Sequence, residues 1–212
     1  MQHVLVVTHP EATHHVDGLV GGWFDGPLTE RGLYEAGQIA KRIRHVVPHD
    51  AESRIVASDL LRTRQTADAI GAELDAHPMF DAGLREKSYG DAEGRPQRWL
   101  SERFIHPPRI GDRLHHDEGI DNGETKLEWI ERVYAAVETV EETPADFRII
   151  VTHAGTANWV IAAWMRIPVQ GCSYAAFNIP SGSITMLRED DVFHNRTLVD
   201  LGDRSFLRNT TD

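Results

Sequence analysis

Cysteine is nearly absent: Cys172 is the only one in 212 residues, which excludes an intrachain disulfide and any metal site built from paired thiolates. It lies in no metal-ligand spacing, and a small buried side chain is the role expected of it. Basic residues are in the minority, 22 against 33 acidic ones, for a formal net charge of -11 and a pI near 5.5. A field of that sign repels polyanions before contact, which argues against a nucleic-acid binder or a protein held on an anionic membrane. A small phosphorylated ligand stays compatible wherever a few cations converge. No apolar stretch approaches the roughly 20 residues that span a bilayer. Met1 leads directly into His3-Val4-Leu5-Val6-Val7, without the basic start and longer apolar centre of a secretory signal. A cytoplasmic protein is therefore expected, and the glycosylation-like tripeptides at Asn195 and Asn209 are read as chance. Internal repeats and low-complexity segments are also missing.

What is present is 41% hydrophobic residues, enough for one sizeable core, and a single domain over residues 1–212 is expected. Val4 to Val7 is an apolar run of the kind a buried parallel strand shows, stopped by Pro10 so that His9 is delivered to a loop. After the glycines at 18, 21, 22 and 26, Thr29 is a plausible N-cap for a helix whose Leu33, Ala36, Ala40 and Ile43 keep helical spacing. Arg54 to Ser58 predicts a second strand, and Ser58 or Asp59 a cap for the helix carrying Leu61, Ala67, Ile70 and Leu74, with Arg62 in its first turn. From Pro78 to Gly123 the pattern weakens, and loop with short helical pieces is expected to cover one end of the sheet as a lid or specificity segment. Leu127, Ile130, Tyr134 and Val137 return to helical spacing. Phe147 to Val151 reads as a third strand, ending at Thr152-His153, with a helix over about Thr156 to Met165. The alternating runs Ser183 to Leu187 and Val192 to Val199 suggest a closing hairpin. Strands alternating with helices predict an α/β three-layer sandwich, a mostly parallel central sheet with helices on both faces, and such sheets bind ligands outside the carboxyl ends of their strands. His9, Arg62 and His153 all fall just past such ends.

Four separated segments then carry a resemblance. They are Val6-Val7-Thr8-His9-Pro10 with Pro27-Leu28-Thr29-Glu30-Arg31-Gly32, Ser58 through Arg62 to Thr66, Leu84-Arg85-Glu86 with Tyr89-Gly90, and Val151-Thr152-His153-Ala154-Gly155; Gly123-Glu124-Thr125 adds a fifth, weaker one. In this order they resemble the landmarks of the histidine phosphatase, or phosphoglycerate mutase-like, superfamily. The resemblance implies a metal-independent phosphomonoesterase of the histidine acid phosphatase type, without a cofactor, acting on a small phosphorylated metabolite. It implies that His9 is the nucleophile and forms a phosphohistidine, that Glu86 is the general acid, and that His153 and Arg62 hold the transferring group. Thr8, Thr152 and Ala154 would contribute substrate contacts. A neutral imidazole is a competent nucleophile at neutral pH, and an arginine fork can neutralise phosphoryl oxygens without a metal ion. A homodimer stays open as the assembly.

The chain departs from the family's usual Arg-His-Gly at Thr8-His9-Pro10. The missing charge is worth about 1.5–3 kcal/mol, or roughly ten- to a hundredfold and more in affinity or rate. His14, His15 or Arg85 could supply a substitute, as Glu93 or Asp91 could for Glu86. Trp23 and Phe24 read either as substrate-entrance residues or as a lid packed on the core. The pairs His14-His15 and His115-His116 lack the spacing of a metal site. Two further functions stay open: a catalytically degenerate binder of a phosphate ligand, and acid–base chemistry by His9 and Glu86 on a non-phosphorylated substrate.

Overall fold

The computed structural model describes residues 1–207. In chain order the elements are strand β1 (Gln2–Thr8), helix α1 (Thr13–Val16), α2 (Glu30–Val46), β2 (Ser53–Ala57), α3 (Leu61–Leu74), β3 (Met79–Phe80) and the short α4 (Gln97–Ser101). They continue as α5 (Lys126–Glu142), β4 (Phe147–Thr152), α6 (Ala154–Trp164), β5 (Ile184–Glu189) and β6 (Arg196–Asp203). One six-stranded sheet runs in the order β3-β2-β4-β1-β5-β6. The pairs β1/β4, β2/β4 and β2/β3 are parallel, and β5 and β6 close one side antiparallel.

Period-two alternation of apolar residues divides the core into two layers. Val4, Val6, Val56 and Ile150 pack on one face with residues of α5 and α6. Leu5, Val7, Ile55, Ile149 and Val151 pack on the other with Ile39, Ile43 and Ile70 of α2 and α3. The expected three-layer sandwich follows directly. Helix α6 is buried continuously from Thr156 to Trp164, as a helix apolar all round must be.

Several local expectations are corrected. Thr29 does cap α2, accepting from the Gly32 N–H at 3.0 Å, but Leu33 is 49% exposed, because the inward face is Gly32, Glu35, Ala36, Ile39, Ala40 and Ile43. The N-cap of α3 is Leu60, with no side-chain cap. Ser58 and Asp59 are engaged elsewhere, with His153 and Arg85. The last strand begins at Arg196 rather than Val192, because the Asp190 carboxylate takes the N–H groups of Val192, Phe193 and Asn195 into a turn. Residues 78–123 hold α4, two single 3-10 turns and the edge strand β3, which the sequence pattern did not suggest. Cys172 is buried as expected. Asn209 lies outside the described residues. Among the described residues, no helix is long and apolar enough to cross a membrane.

Candidate active site

Backbone hydrogen bonds just past the strand ends fix the floor of the site. His9 N–H donates to the Thr152 carbonyl at 3.0 Å, and Ser58 N–H to that of Val151 at 2.9 Å. These bonds continue the sheet beyond β1 and β2 and bring His9, Ser58 and His153 to one end of it, where open α/β sheets hold ligands.

The His9 ring is oriented by its own chain: Nδ1 lies 2.8 Å from the Pro10 carbonyl. A carbonyl only accepts, so Nδ1 carries the proton and Nε2 the lone pair. Arg62, with 1% of its surface exposed, donates from Nε to that Nε2 at 3.2 Å. Its Nη1 and Nη2 donate to the carbonyls of Phe24 and Gly22, both at 2.7 Å. The guanidinium is thereby clamped with its remaining N–H groups, out of five in all, left for an anion. Burial, followed by the charge of Arg62, pulls the His9 pKa well below the ordinary value, with the Pro10 hydrogen bond opposing. Burial lowers Arg62 itself to about 10, against Glu86, Asp25 and Glu93, so it stays cationic at neutral pH.

His153 meets His9 edge-on at 5.1 Å between ring centroids. Its Nε2 lies 2.9 Å from Ser58 Oγ, while Nδ1 is buried with no hydrogen-bond partner among the described residues. Burial and then Arg62 hold its pKa well below the usual histidine range. Two more histidines from α1 complete a cluster. His15 stacks on His9 at 5.6 Å, with 13° between the planes. The Ala12 N–H donates to its Nδ1 at 3.2 Å, which leaves the neutral ring's proton on Nε2. His14 lies 4.1 Å from His15 and is depressed to about 3 by burial, then by His15 and Arg62.

Glu86 is held on the facing side. Its carboxylate accepts from the N–H groups of Lys87 and Gly155, each at 3.0 Å, and from the Thr156 hydroxyl at 3.1 Å. Gly155 is required by this approach: a Cβ there would stand 2.5 Å from Glu86 Oε1 and 2.8 Å from the Trp129 ring. With His14, His15, Gly22, Tyr89 and Trp129, Glu86 lines an open cleft of about 490 Å³. That volume is in the range of small-molecule sites.

Of the residues expected here, His9, Arg62, His153 and Glu86 are brought together, and Ala154 opens α6 directly after His153. Thr8 and Thr152 are not. The Thr8 hydroxyl donates to the Pro180 carbonyl at 2.7 Å and accepts from the Ser183 N–H at 3.0 Å. That of Thr152 donates to the Leu84 carbonyl at 2.8 Å. Both are fully buried and tie loops to strand ends. Arg85 is no substitute cation, since Asp59 neutralises it through two 2.6 Å hydrogen bonds. Glu93 and Asp91 are likewise committed, to Ser88 and Tyr89 and to Asn122. Trp23 donates its indole N–H to the Glu86 carbonyl at 2.8 Å, so it braces the loop that carries Glu86, while Phe24 supplies the carbonyl that clamps Arg62. His115 and His116 turn to Asp112 and the Ile105 carbonyl. Among the described residues no group of three or more His, Cys, Asp or Glu could hold a metal ion.

Arg132 is the residue that sequence reasoning missed. It pairs with Glu124 through two 2.7 Å bonds and donates to the carbonyls of Gly83, Arg85 and Glu86. It therefore fixes the loop that presents Glu86. The Gly123-Glu124-Thr125 segment was its only signal, Glu124 also accepting from the Ser88 N–H at 2.8 Å.

The chain is similar to known proteins along most of its length. The model of the histidine phosphatase superfamily (branch 1) matches residues 4–200. The chain belongs to that superfamily. It is 30% identical over 169 residues to the probable phosphoglycerate mutase GpmB of Escherichia coli, covering 79% of this chain and 77% of that one. A putative alpha-ribazole-5'-P phosphatase from Escherichia coli superposes with a TM-score of 0.77 at 23% identity, over 96% of this chain and 97% of that one. A mycobacterial glucosyl-3-phosphoglycerate phosphatase does so with a TM-score of 0.77 at 22% identity, over 95% and 99%. These two likenesses carry the phosphoglycerate mutase-like fold.

Proposed function

We propose that the protein is a metal-independent phosphomonoesterase that hydrolyses a small phosphorylated metabolite through a phosphohistidine at His9. The observation that carries this reading is the state of the His9 ring, proton on Nδ1 toward Pro10 and lone pair on a buried Nε2 beside Arg62. Nε2 attacks phosphorus while the P–O bond to the leaving group breaks. The free N–H groups of Arg62 and the Nδ1–H of His153 bind the equatorial oxygens. In this reading the Ser58 hydroxyl, 2.9 Å from His153 Nε2, is the donor of that pair and the ring's proton sits on Nδ1. Glu86 protonates the departing oxygen, a contribution of about a hundredfold or more. Water then attacks the phosphohistidine with Glu86 as base, and phosphate leaves.

The arginine missing at Thr8 is replaced in part by His15, whose Nε2–H is a neutral donor at the cleft wall. Segment 78–123 sets specificity, since Glu86, Tyr89 and Gln97 of the cleft come from it. Phosphoglycerate isomerisation, suggested by the GpmB likeness, is the competing enzymatic reading. The missing arginine favours a third, a catalytically degenerate binder of a phosphate ligand. Phosphate release from an aryl phosphate and a panel of metabolite monoesters, with chelator present, separates them. Turnover that persists in chelator and vanishes in His9→Ala supports the phosphatase; a folded wild type that turns over no phosphate supports the binder; interconversion of phosphoglycerates supports the mutase.

A further inference from the structure

Beside the reaction cleft lies a second cavity, of about 190 Å³, that shares Tyr89 and Trp129 with it as common walls. In a chain of net charge -11, its lining is unexpectedly basic: Lys87, Arg113 and Lys126 face a single carboxylate, Glu118. Lys87 is paired with that carboxylate, which leaves Arg113 and Lys126 without a carboxylate in the cavity wall. Both are packed on aromatic faces, Arg113 at 4.8 Å from the Tyr174 ring centroid and Lys126 at 5.0 Å from that of Trp159. Lys126 donates to the Ser173 carbonyl at 3.0 Å, whereas Nε of Arg113 is buried with no hydrogen-bond partner among the described residues. The two cations feel one another: burial first and then Arg113 pull the Lys126 pKa down. Like charges gathered in a partly buried wall are unfavourable until an anion joins them, and a buried donor without an acceptor adds to that cost.

We propose that this cavity is a second anion subsite, in which Arg113 and Lys126 bind a carboxylate or phosphate carried by the leaving group of the substrate. The inference rests on the phosphatase reading and deepens it, naming the substrate class as a phosphomonoester with a second anionic group. The ester phosphate sits at His9 and Arg62, the body of the leaving group fills the cleft past Tyr89 and Trp129, and its far end reaches the arginine–lysine pair. Neither cation touches the reacting atoms, so both act on substrate selection.

The subsite is tested by binding, independently of turnover. Matched alkyl phosphonates of graded chain length, ending in methyl, carboxylate or phosphonate, are titrated calorimetrically into wild type, Arg113→Gln, Lys126→Gln and His9→Ala. The expected result is that one chain length with an anionic end binds wild type at least about tenfold tighter than its methyl counterpart. That ratio falls toward one in Arg113→Gln and in Lys126→Gln, and survives in His9→Ala. Whether the carboxylate or the phosphonate series gains more identifies the anion. Equal binding of charged and methyl ends at every length to folded wild type overturns the subsite, as does a ratio unchanged in both variants. Failure of the phosphatase reading alone would show differently, as absent turnover with the binding preference intact.

Discussion

The histidine cluster makes acid sensitivity of folding a quantitative expectation. In the folded chain His9 and His153, 4% and 1% exposed, have pKa values pulled well below the ordinary one by burial and then by Arg62. In the unfolded chain both return to about 6.5. As pH falls through that value the unfolded state takes up protons that the folded state refuses, so stability is full above it and declines below it. Each such group contributes a limiting slope of about 1.4 kcal/mol per pH unit, and the pair about 2.7, or roughly a hundredfold in the folding constant. His14, depressed to about 3, acts in the same direction. The assay is urea denaturation at a series of pH values between about 7.5 and 5, above the range in which ordinary carboxylates titrate. The midpoint should hold nearly constant down to about pH 6.5 and then fall steeply. A midpoint that stays flat or rises between about pH 6.5 and 5 would refute the reading that these rings are buried neutral.

Gly155→Ala places a Cβ against Glu86 Oε1 and Trp129 and should lower kcat about a hundredfold on alkyl phosphates. The loss should be much smaller on aryl phosphates, whose leaving groups depart without a proton; equal losses on both would contradict Glu86 as the acid. Thr8→Val removes the acceptor of the Ser183 N–H and should cost about 1–3 kcal/mol of stability by denaturant titration. KM for phosphate esters should not change, because the hydroxyl faces Pro180 and Ser183. His15→Phe keeps the stacking on His9 but deletes the Nε2–H, and steady-state kinetics should show KM raised by roughly threefold to tenfold. With His9 already neutral, kcat/KM should show no acid limb at the ordinary histidine pKa of about 6.5 while the protein stays folded.

Much of this was legible because hydrophobic periodicity and proline placement are local signals. Val4 to Val7 with Pro10 was enough to put His9 past a buried strand, and the same reasoning placed His153 after β4. What misled were signals whose outcome depends on distant partners. Leu33 has helical spacing, yet the packed face of α2 is set by where α3 and the sheet lie. Ser58 looks like a cap until His153, 95 positions away in sequence, claims its hydroxyl. Thr8 sits beside His9 in sequence, but its hydroxyl is engaged by Pro180 and Ser183. Arg132 gave no motif of its own, since its function is to join Glu124 to carbonyls some 46 to 49 positions earlier. Arg113 and Lys126 are ordinary charges in sequence and become a pair only where the irregular segment folds against the start of α5.

Covalent chemistry at His9 is tested most directly by trapping it. Glu86→Gln should slow hydrolysis of the intermediate, so rapid mixing with an aryl phosphate followed by an alkaline quench should leave protein heavier by one phosphoryl group. Peptide mapping should locate that group on His9, and His9→Ala should show neither the adduct nor turnover. Turnover by His9→Ala, or an adduct on any other residue, would contradict the account.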